Sequence, residues 1–199
     1  MEKTRENLKK LGYTVSVFDT SEQASAYLDA QIHGQTVGFG GSMTVEKMGL
    51  YEQLSTHNDT RWHHRIPEGK TSAELRDAAS KSDVYISSVN ALAQTGEIVN
   101  IDFTCNRVAS IFYGHKKVYL VVGKNKITPD YESALWRARN VASPLNAKRL
   151  GRKTPCAVKG DRCYDCDSPE RICRGLTVLW QKPNAGEIEV VLIRENLGY

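Results

Sequence analysis

Four of the chain's five cysteines fall in one short run, Cys156-x6-Cys163-x2-Cys166-x6-Cys173, and Cys105 stands alone mid-chain. Two cysteines two residues apart can present two thiolates to one metal in a tight turn, and the symmetric outer pair can complete a four-thiolate shell. Zinc and an iron–sulfur cluster both suit such a set chemically, but the spacing is not that of the ferredoxin run and so does not favour the cluster by motif, and zinc would be a structural staple. In a reducing compartment a cluster of this kind points to metal before disulfides. Reversible disulfides or four unligated thiols are the plainer alternatives. Lys159, Arg162, Arg171 and Arg174 lie close in sequence and would offset the charge of thiolates. Cys105 reads as a small buried apolar residue rather than a nucleophile.

A second stretch with chemical meaning is Phe39-Gly40-Gly41-Ser42-Met43-Thr44, between a strand-like and a helix-like segment. Glycines there let a ligand approach the backbone, N–H groups at a helix start favour an anion, and the Ser42 and Thr44 hydroxyls add donors. It is neither a Walker loop nor the GxGxxG fingerprint. A tight turn with Ser42 as helix cap accounts for the same residues. A third is Gly96-Glu97-Ile98-Val99-Asn100-Ile101-Asp102, whose period of two puts Glu97, Val99 and Ile101 on one face and Ile98, Asn100 and Asp102 on the other. Glu97 is a candidate acid–base group if desolvated, and Arg107, next to Asn106, can hold a carboxylate or phosphate bidentately. A solvated edge hairpin with a capping Asn is the simpler account of these residues. His63 and His64, adjacent on a strand, should point to opposite faces and not share an ion, which suggests a surface or subunit contact. Trp136 and Trp180 read as core or interface aromatics. Lys148, Arg149, Arg152 and Lys153 form a basic run, either a solvated face or a frame for an anion.

The elements that must position these groups alternate. Strand-like runs at 14–18, 36–39, 83–87 and 117–123 are interleaved with helical periodicity at 2–11, from Ala24 to Ile32, from Val45 to Leu54, from Ser72 to Ala79, at 106–113 and at 130–142. Residues 91–101 read as a hairpin turned at Thr95-Gly96. This order predicts an α/β layer sandwich around a mainly parallel sheet, with Lys117 to Gly123 as its most buried strand. From Pro144 the texture changes. Residues 151–175 have too little apolar material for a core and read as a small cysteine-rich loop inserted before two last strands, 176–180 and 188–193. The 199 residues form one domain on this reading.

Composition limits the classes. Hydrophobic residues are 40% and charged residues 25%, the balance of a globular chain. No apolar run is long enough to span a bilayer, and the polar first ten residues carry no secretory pattern, so the expectation is a cytoplasmic protein without a membrane partner. The net charge of +4 comes from 27 basic and 23 acidic side chains without a dense stripe, which argues against a nucleic-acid partner. An anionic small molecule needs only two or three placed cations.

Taken in order, VGFGGSMTVEKMGL (37–50), TGEIVNID (95–102), NRVASIFYG (106–114), VVGKNKI (121–127) and the helix with Ala134 and Arg137 leading to SPLNAKRL (143–150) resemble the LUD (lactate utilisation) domain family. The resemblance covers about three quarters of the chain. It implies membership of the larger fold group of ribose-5-phosphate isomerase, glucosamine-6-phosphate deaminase and CoA-transferases, and so a Rossmann-like three-layer sandwich with its ligand at the carboxyl ends of the strands. Carried onto this sequence, it implies an anion cradle of Gly40, Gly41, Ser42 and Thr44. Glu97, Asn100 and Asp102 would line the reactive side, with Glu97 and Asp102 as the catalytic pair. Asn106, Arg107 and Lys126 would supply polar and cationic groups. Larger family members join this domain to ferredoxin-like modules in lactate oxidation, and this chain has none. The expectation is a domain that binds a small anionic metabolite, such as an organic acid, a sugar phosphate or a CoA-like group. The rival is a zinc or iron–sulfur accessory with a redox partner protein, or a partner-binding subunit without catalysis. A homo-oligomer is compatible with either.

Overall fold

The computed structural model describes residues 1–199. Six strands form the main sheet: β1 (Thr14–Phe18), β2 (Thr36–Phe39), β3 (Asp59–Trp62), β4 (Val84–Ser88), β7 (Lys117–Gly123) and β10 (Glu187–Ile193), in the order β1-β10-β7-β4-β2-β3. Every pairing in it is parallel. The expected mainly parallel sheet is therefore present, with β7 and β4 at its centre and the last strand, β10, between β1 and β7.

Strand alternation divides the core in two. Phe39, Ile86, Tyr119, Val121, Val191 and Ile193 point to one face, where they meet Ala24, Leu28 and Ile32 of α2 (Ser21–Gln31). Val45 of α3 (Met43–Lys47) and Leu50 and Leu54 of α4 (Leu50–Leu54) join the same cluster. Tyr85, Val118, Leu120, Val122, Val190 and Leu192 point to the other face. There they pack on Leu8 of α1 (Glu2–Lys10), Ala79 of α5 (Ser72–Ser80) and Ile111 of α6 (Asn106–Phe112). Burial on both faces is why β7 is apolar without alternation, and β4 is likewise buried along its whole length. Two helices open with reciprocal capping boxes, Thr20 with Gln23 for α2 and Thr71 with Glu74 for α5, so the chain enters both at fixed positions.

A second sheet packs on this latter face through Leu92, Ile98 and Leu179. It contains β5 (Ala91–Ala93), β6 (Ile98–Asp102), β8 (Ile127–Thr128) and β9 (Gly175–Leu179), in the order β8-β5-β6-β9. β5 and β6 form the expected hairpin. The two strands expected to close the chain part company: β9 pairs antiparallel with β6, and β10 inserts between β1 and β7. Periodicity identifies strands but not the sheet each joins. β3 (Asp59–Trp62) ends just before the two histidines expected to lie on a strand. Its four residues, Asp-Thr-Arg-Trp, are polar but for Trp62, as suits an edge strand.

The helix expected to end at Ala142 continues to Arg149, as α7 (Tyr131–Arg137), a wide π turn over Ala138–Ala142 and α8 (Ser143–Arg149). The wider turn accommodates Pro144, which has no N–H to give, and Ser143 Oγ donates to the Ala138 carbonyl at 2.8 Å. Beyond it, α9 (Pro155–Lys159) leads into irregular chain as far as β9. This segment does have apolar support, in correction of the expectation: Ala157 and Ile172 are buried against Ala147 of α8, with Cys156 packed alongside. Trp136 and Trp180 are not core residues, being 61% and 73% exposed.

Candidate functional site

The ends of the parallel strands build one cavity of about 500 Å3. Gly41 and Ser42 follow β2, His63 and His64 follow β3, Ser88 ends β4 with Asn90 just beyond, and Lys126 follows β7. The β6–α6 connection adds Asp102, Phe103, Asn106 and Arg107. Arg149 and Arg152 reach in from α8 and beyond it, and Tyr199 closes over from the end of the chain. Its location, outside the carboxyl ends of parallel strands, is where open α/β sheets place ligands.

The charges on the wall are unequal. Arg76, Arg107, Lys126, Arg149 and Arg152 line the cavity, and Asp102 is its one carboxylate. Lys126 is 4% exposed. Its Nζ donates to Thr44 Oγ1 at 2.8 Å, Ser88 Oγ at 2.9 Å and the Val89 carbonyl at 3.0 Å, with no carboxylate among its partners. Burial, helped by the Arg137 and Arg107 charges, pulls its pKa down to about 7.

Arg107 is a structural clamp. Nη1 donates to the Ser88 carbonyl at 3.1 Å and Asn100 Oδ1 at 2.6 Å, and Nη2 to Asn90 Oδ1 at 3.1 Å and the Ile101 carbonyl at 2.9 Å. The bidentate face expected to meet a ligand is thus occupied by protein, and Arg107 contributes charge to the cavity rather than donors. Asp102 Oδ1 accepts from the Phe103 N–H at 2.7 Å. Its Oδ2 lies 3.3 Å from Arg107 Nε but has no aligned donor.

The glycine loop divides its roles. A Cβ on Gly40 would lie 2.5 Å from Ser87 Oγ and 3.0 Å from Arg107 Cγ, so the glycine makes room for the clamp. Gly41 faces the two histidines. Ser42 caps α3 by accepting from the Val45 N–H at 3.3 Å, the simpler of the two readings of this loop. Thr44 lies beneath the cavity, where it accepts from Lys126 and donates to the Leu197 carbonyl at 3.2 Å.

Glu97 is not at the cavity. It sits at the turn of the β5–β6 hairpin, where its carboxylate accepts from the Thr95 hydroxyl. Alternation along β6 sends Asn100 and Asp102 towards Arg107, and Glu97, an odd number of residues away, cannot join them. The histidines depart from expectation the other way. They lie past the end of β3 in a turn, so strand alternation does not separate them. Their ring centroids are 4.7 Å apart and both rings line the cavity. Burial pulls His63 down to about 4, the nearby His64 and Arg76 charges adding to this, so it is neutral at pH 7. His64 Nδ1 lies 3.1 Å from Glu46 Oε2, and burial lowers its pKa as well.

Asn90, Arg76 and Tyr199 were missed by the sequence reading. Asn90 had a weak signal, a polar residue two positions beyond the end of a buried strand. Arg76 and Tyr199 had none.

A family model for the LUD domain matches residues 1–193. The chain belongs to the LUD domain family. Among solved structures, a DUF162 family protein from Deinococcus radiodurans shares the LUD fold of this chain with a TM-score of 0.54 and 11% identity, over 96% of this chain and 94% of that one. eIF2B beta from Chaetomium thermophilum aligns over 57% of this LUD domain and 44% of its own chain, at 16% identity and a TM-score of 0.38. No curated protein matches the chain. No helix is long and apolar enough to cross a membrane.

The four clustered cysteines are all unpaired and lie apart from this cavity. No group of three or more His, Cys, Asp or Glu side chains is gathered closely enough to hold a metal ion.

Proposed function

We propose that this LUD domain binds a small hydroxylated organic acid in the cavity, in keeping with a family role in lactate or organic-acid utilisation. The supporting observation is Lys126, a buried cation with only neutral oxygens around it, on a wall that carries four arginines and one carboxylate. An uncompensated buried charge is costly, and a bound anion offsets it. Arg149 and Arg152 are the cations free to meet a carboxylate. Arg149 is hydrogen-bonded to Asn146 on its own helix and lies beside the Tyr199 hydroxyl, and Arg152 Nε is buried without a partner. Asp102, the one carboxylate on the wall, is the acceptor for a ligand hydroxyl.

Calorimetric titration with L-lactate, propionate, ribose 5-phosphate and inorganic phosphate tests this. We expect lactate to bind about tenfold tighter than propionate, which lacks the hydroxyl, as one added hydrogen bond of about 1.4 kcal/mol would give. Arg149→Gln and Arg152→Gln should each weaken binding by a similar factor, and Glu97→Gln should leave it unchanged. Affinity should fall as pH rises through 7, where Lys126 loses its charge. Equal binding of lactate and propionate would remove the hydroxy-acid assignment. Failure of every anion to bind at low ionic strength would remove the anion site itself.

A further inference from the structure

A second cavity, of about 270 Å3, has Cys156, Cys163, Cys166 and Cys173 all on its wall. The thiols share this wall, and no three of them are gathered closely enough to hold one ion. A single zinc would need four sulfurs at about 2.3 Å from one centre and so about 3.8 Å from one another, with no void between them. A four-iron cluster makes the opposite demand. Each thiolate takes its own iron at a different corner, so the ligands ring a space. We infer that the four cysteines form a site for a 4Fe–4S cluster, seated in the cavity between them.

The surroundings match what such a cluster needs. Bound by four thiolates it is anionic, and Arg139, Arg171 and Arg174 line the cavity against Asp165 as its one carboxylate. Hydrogen-bond donors already point at sulfur. Asp165 N–H donates to Cys163 Sγ at 3.4 Å, Arg139 Nη2 to the same sulfur at 3.8 Å, and Arg171 Nη2 to Cys173 Sγ at 3.5 Å. Thr154 Oγ1 lies 3.3 Å from Cys156 Sγ. Donors to cluster sulfur are among the means by which proteins hold and tune such groups. Asp165, between Cys163 and Cys166, adopts a left-handed conformation with φ 48°, one of only two non-glycine residues to do so. Backbone strain of this kind concentrates where a chain must present ligands, and here it shapes the Cys-x-x-Cys turn. Ile101, Ser143 and Ile172 line both cavities, so the cluster would be separated from the anion site by one wall of side chains. The inference rests on the cysteines alone and stands whether or not an organic acid binds next door.

The test is iron and acid-labile sulfide analysis, with visible spectroscopy, on the full chain purified anaerobically and then reconstituted with ferrous iron and sulfide. The expected result is about four irons and about four sulfides per chain and a broad visible absorption bleached by dithionite. Cys163→Ser and Cys166→Ser should each abolish it, and Cys105→Ala should leave it intact. Far-ultraviolet circular dichroism confirms that each variant is folded. A wild-type chain that holds stoichiometric zinc and takes up no iron would overturn the proposal. So would iron uptake that survives loss of Cys163 or Cys166, a stoichiometry of about two irons, or reconstituted protein without iron and with the cysteines in disulfides.

Discussion

Lys126 gives the candidate site its electrostatic character, and its burial has a measurable consequence. Its ordinary pKa of 10.5 applies to the unfolded chain, and the folded value is about 7. Between these limits the unfolded chain holds more protons than the folded one, so stability rises with pH. Below about pH 7 both states are protonated and the penalty of burying the cation is felt in full. We expect the free energy of unfolding, from urea titrations, to rise by roughly 2 kcal/mol from about pH 7 to about pH 9, and Lys126→Met to flatten that rise. At the same scale, the family resemblance implied that carboxylates, glycines and cations share one site, and Asp102, Arg107 and Lys126 of that set line the cavity. It could not distinguish Glu97 from Asp102. Both are acidic residues of one hairpin, and only the packing of β6 on α6 brings one to the cavity and leaves the other at the turn.

Among the elements, the β2–α3 connection carries the sharpest steric requirement. Gly40 backs onto Ser87 and the stem of Arg107, so Gly40→Ala would displace the clamp that ties β4, β6 and their connection together. The expected cost is about 1–3 kcal/mol from overpacking, read from chemical denaturation, with weaker anion binding because the cavity wall shifts. The sequence marked the glycines between strand and helix and offered either a ligand or a tight turn as the reason for them. For Gly40 the partner is another part of the protein, which local spacing does not reveal. The helix from Tyr131 to Arg149 carries the same lesson. Its period was clear as far as Ala142, and the change of texture from Pro144 hid its continuation, because a regular α-helix interior has no place for a proline. The wide turn at Ala138–Ala142 absorbs the proline and carries Arg149 on to the cavity.

In the molecule as a whole, the end of the chain completes the site. After β10 the backbone turns back, Leu197 enters the core, and its carbonyl accepts from Thr44. Its N–H donates to Asn125 Oδ1 at 3.0 Å, and Tyr199 lies on the cavity wall. A chain ending at Arg194 would lose the burial of Leu197, worth about 2 kcal/mol. It would also expose Thr44 and Lys126 to water. We expect a lower midpoint of thermal unfolding and weaker anion binding, with Leu197→Ala reproducing most of the stability loss and less of the binding loss. A truncated chain with unchanged affinity would show that the tail serves the core alone.

By itself the sequence determined the parallel α/β class, most of the strands and helices, the family, and the residue types from which an anion site and a thiol site can be made. These follow from periodicity, capping and ordered motifs, all local properties of the chain. The tertiary structure decided which of those residues meet. It sent β9 and β10 to different sheets, turned His63 and His64 to the same cavity, took up Arg107 as a clamp, and placed four cysteines on the wall of a second cavity. Each depends on contacts between segments far apart in sequence, and the energy of such contacts lies in packing geometry that no local pattern contains.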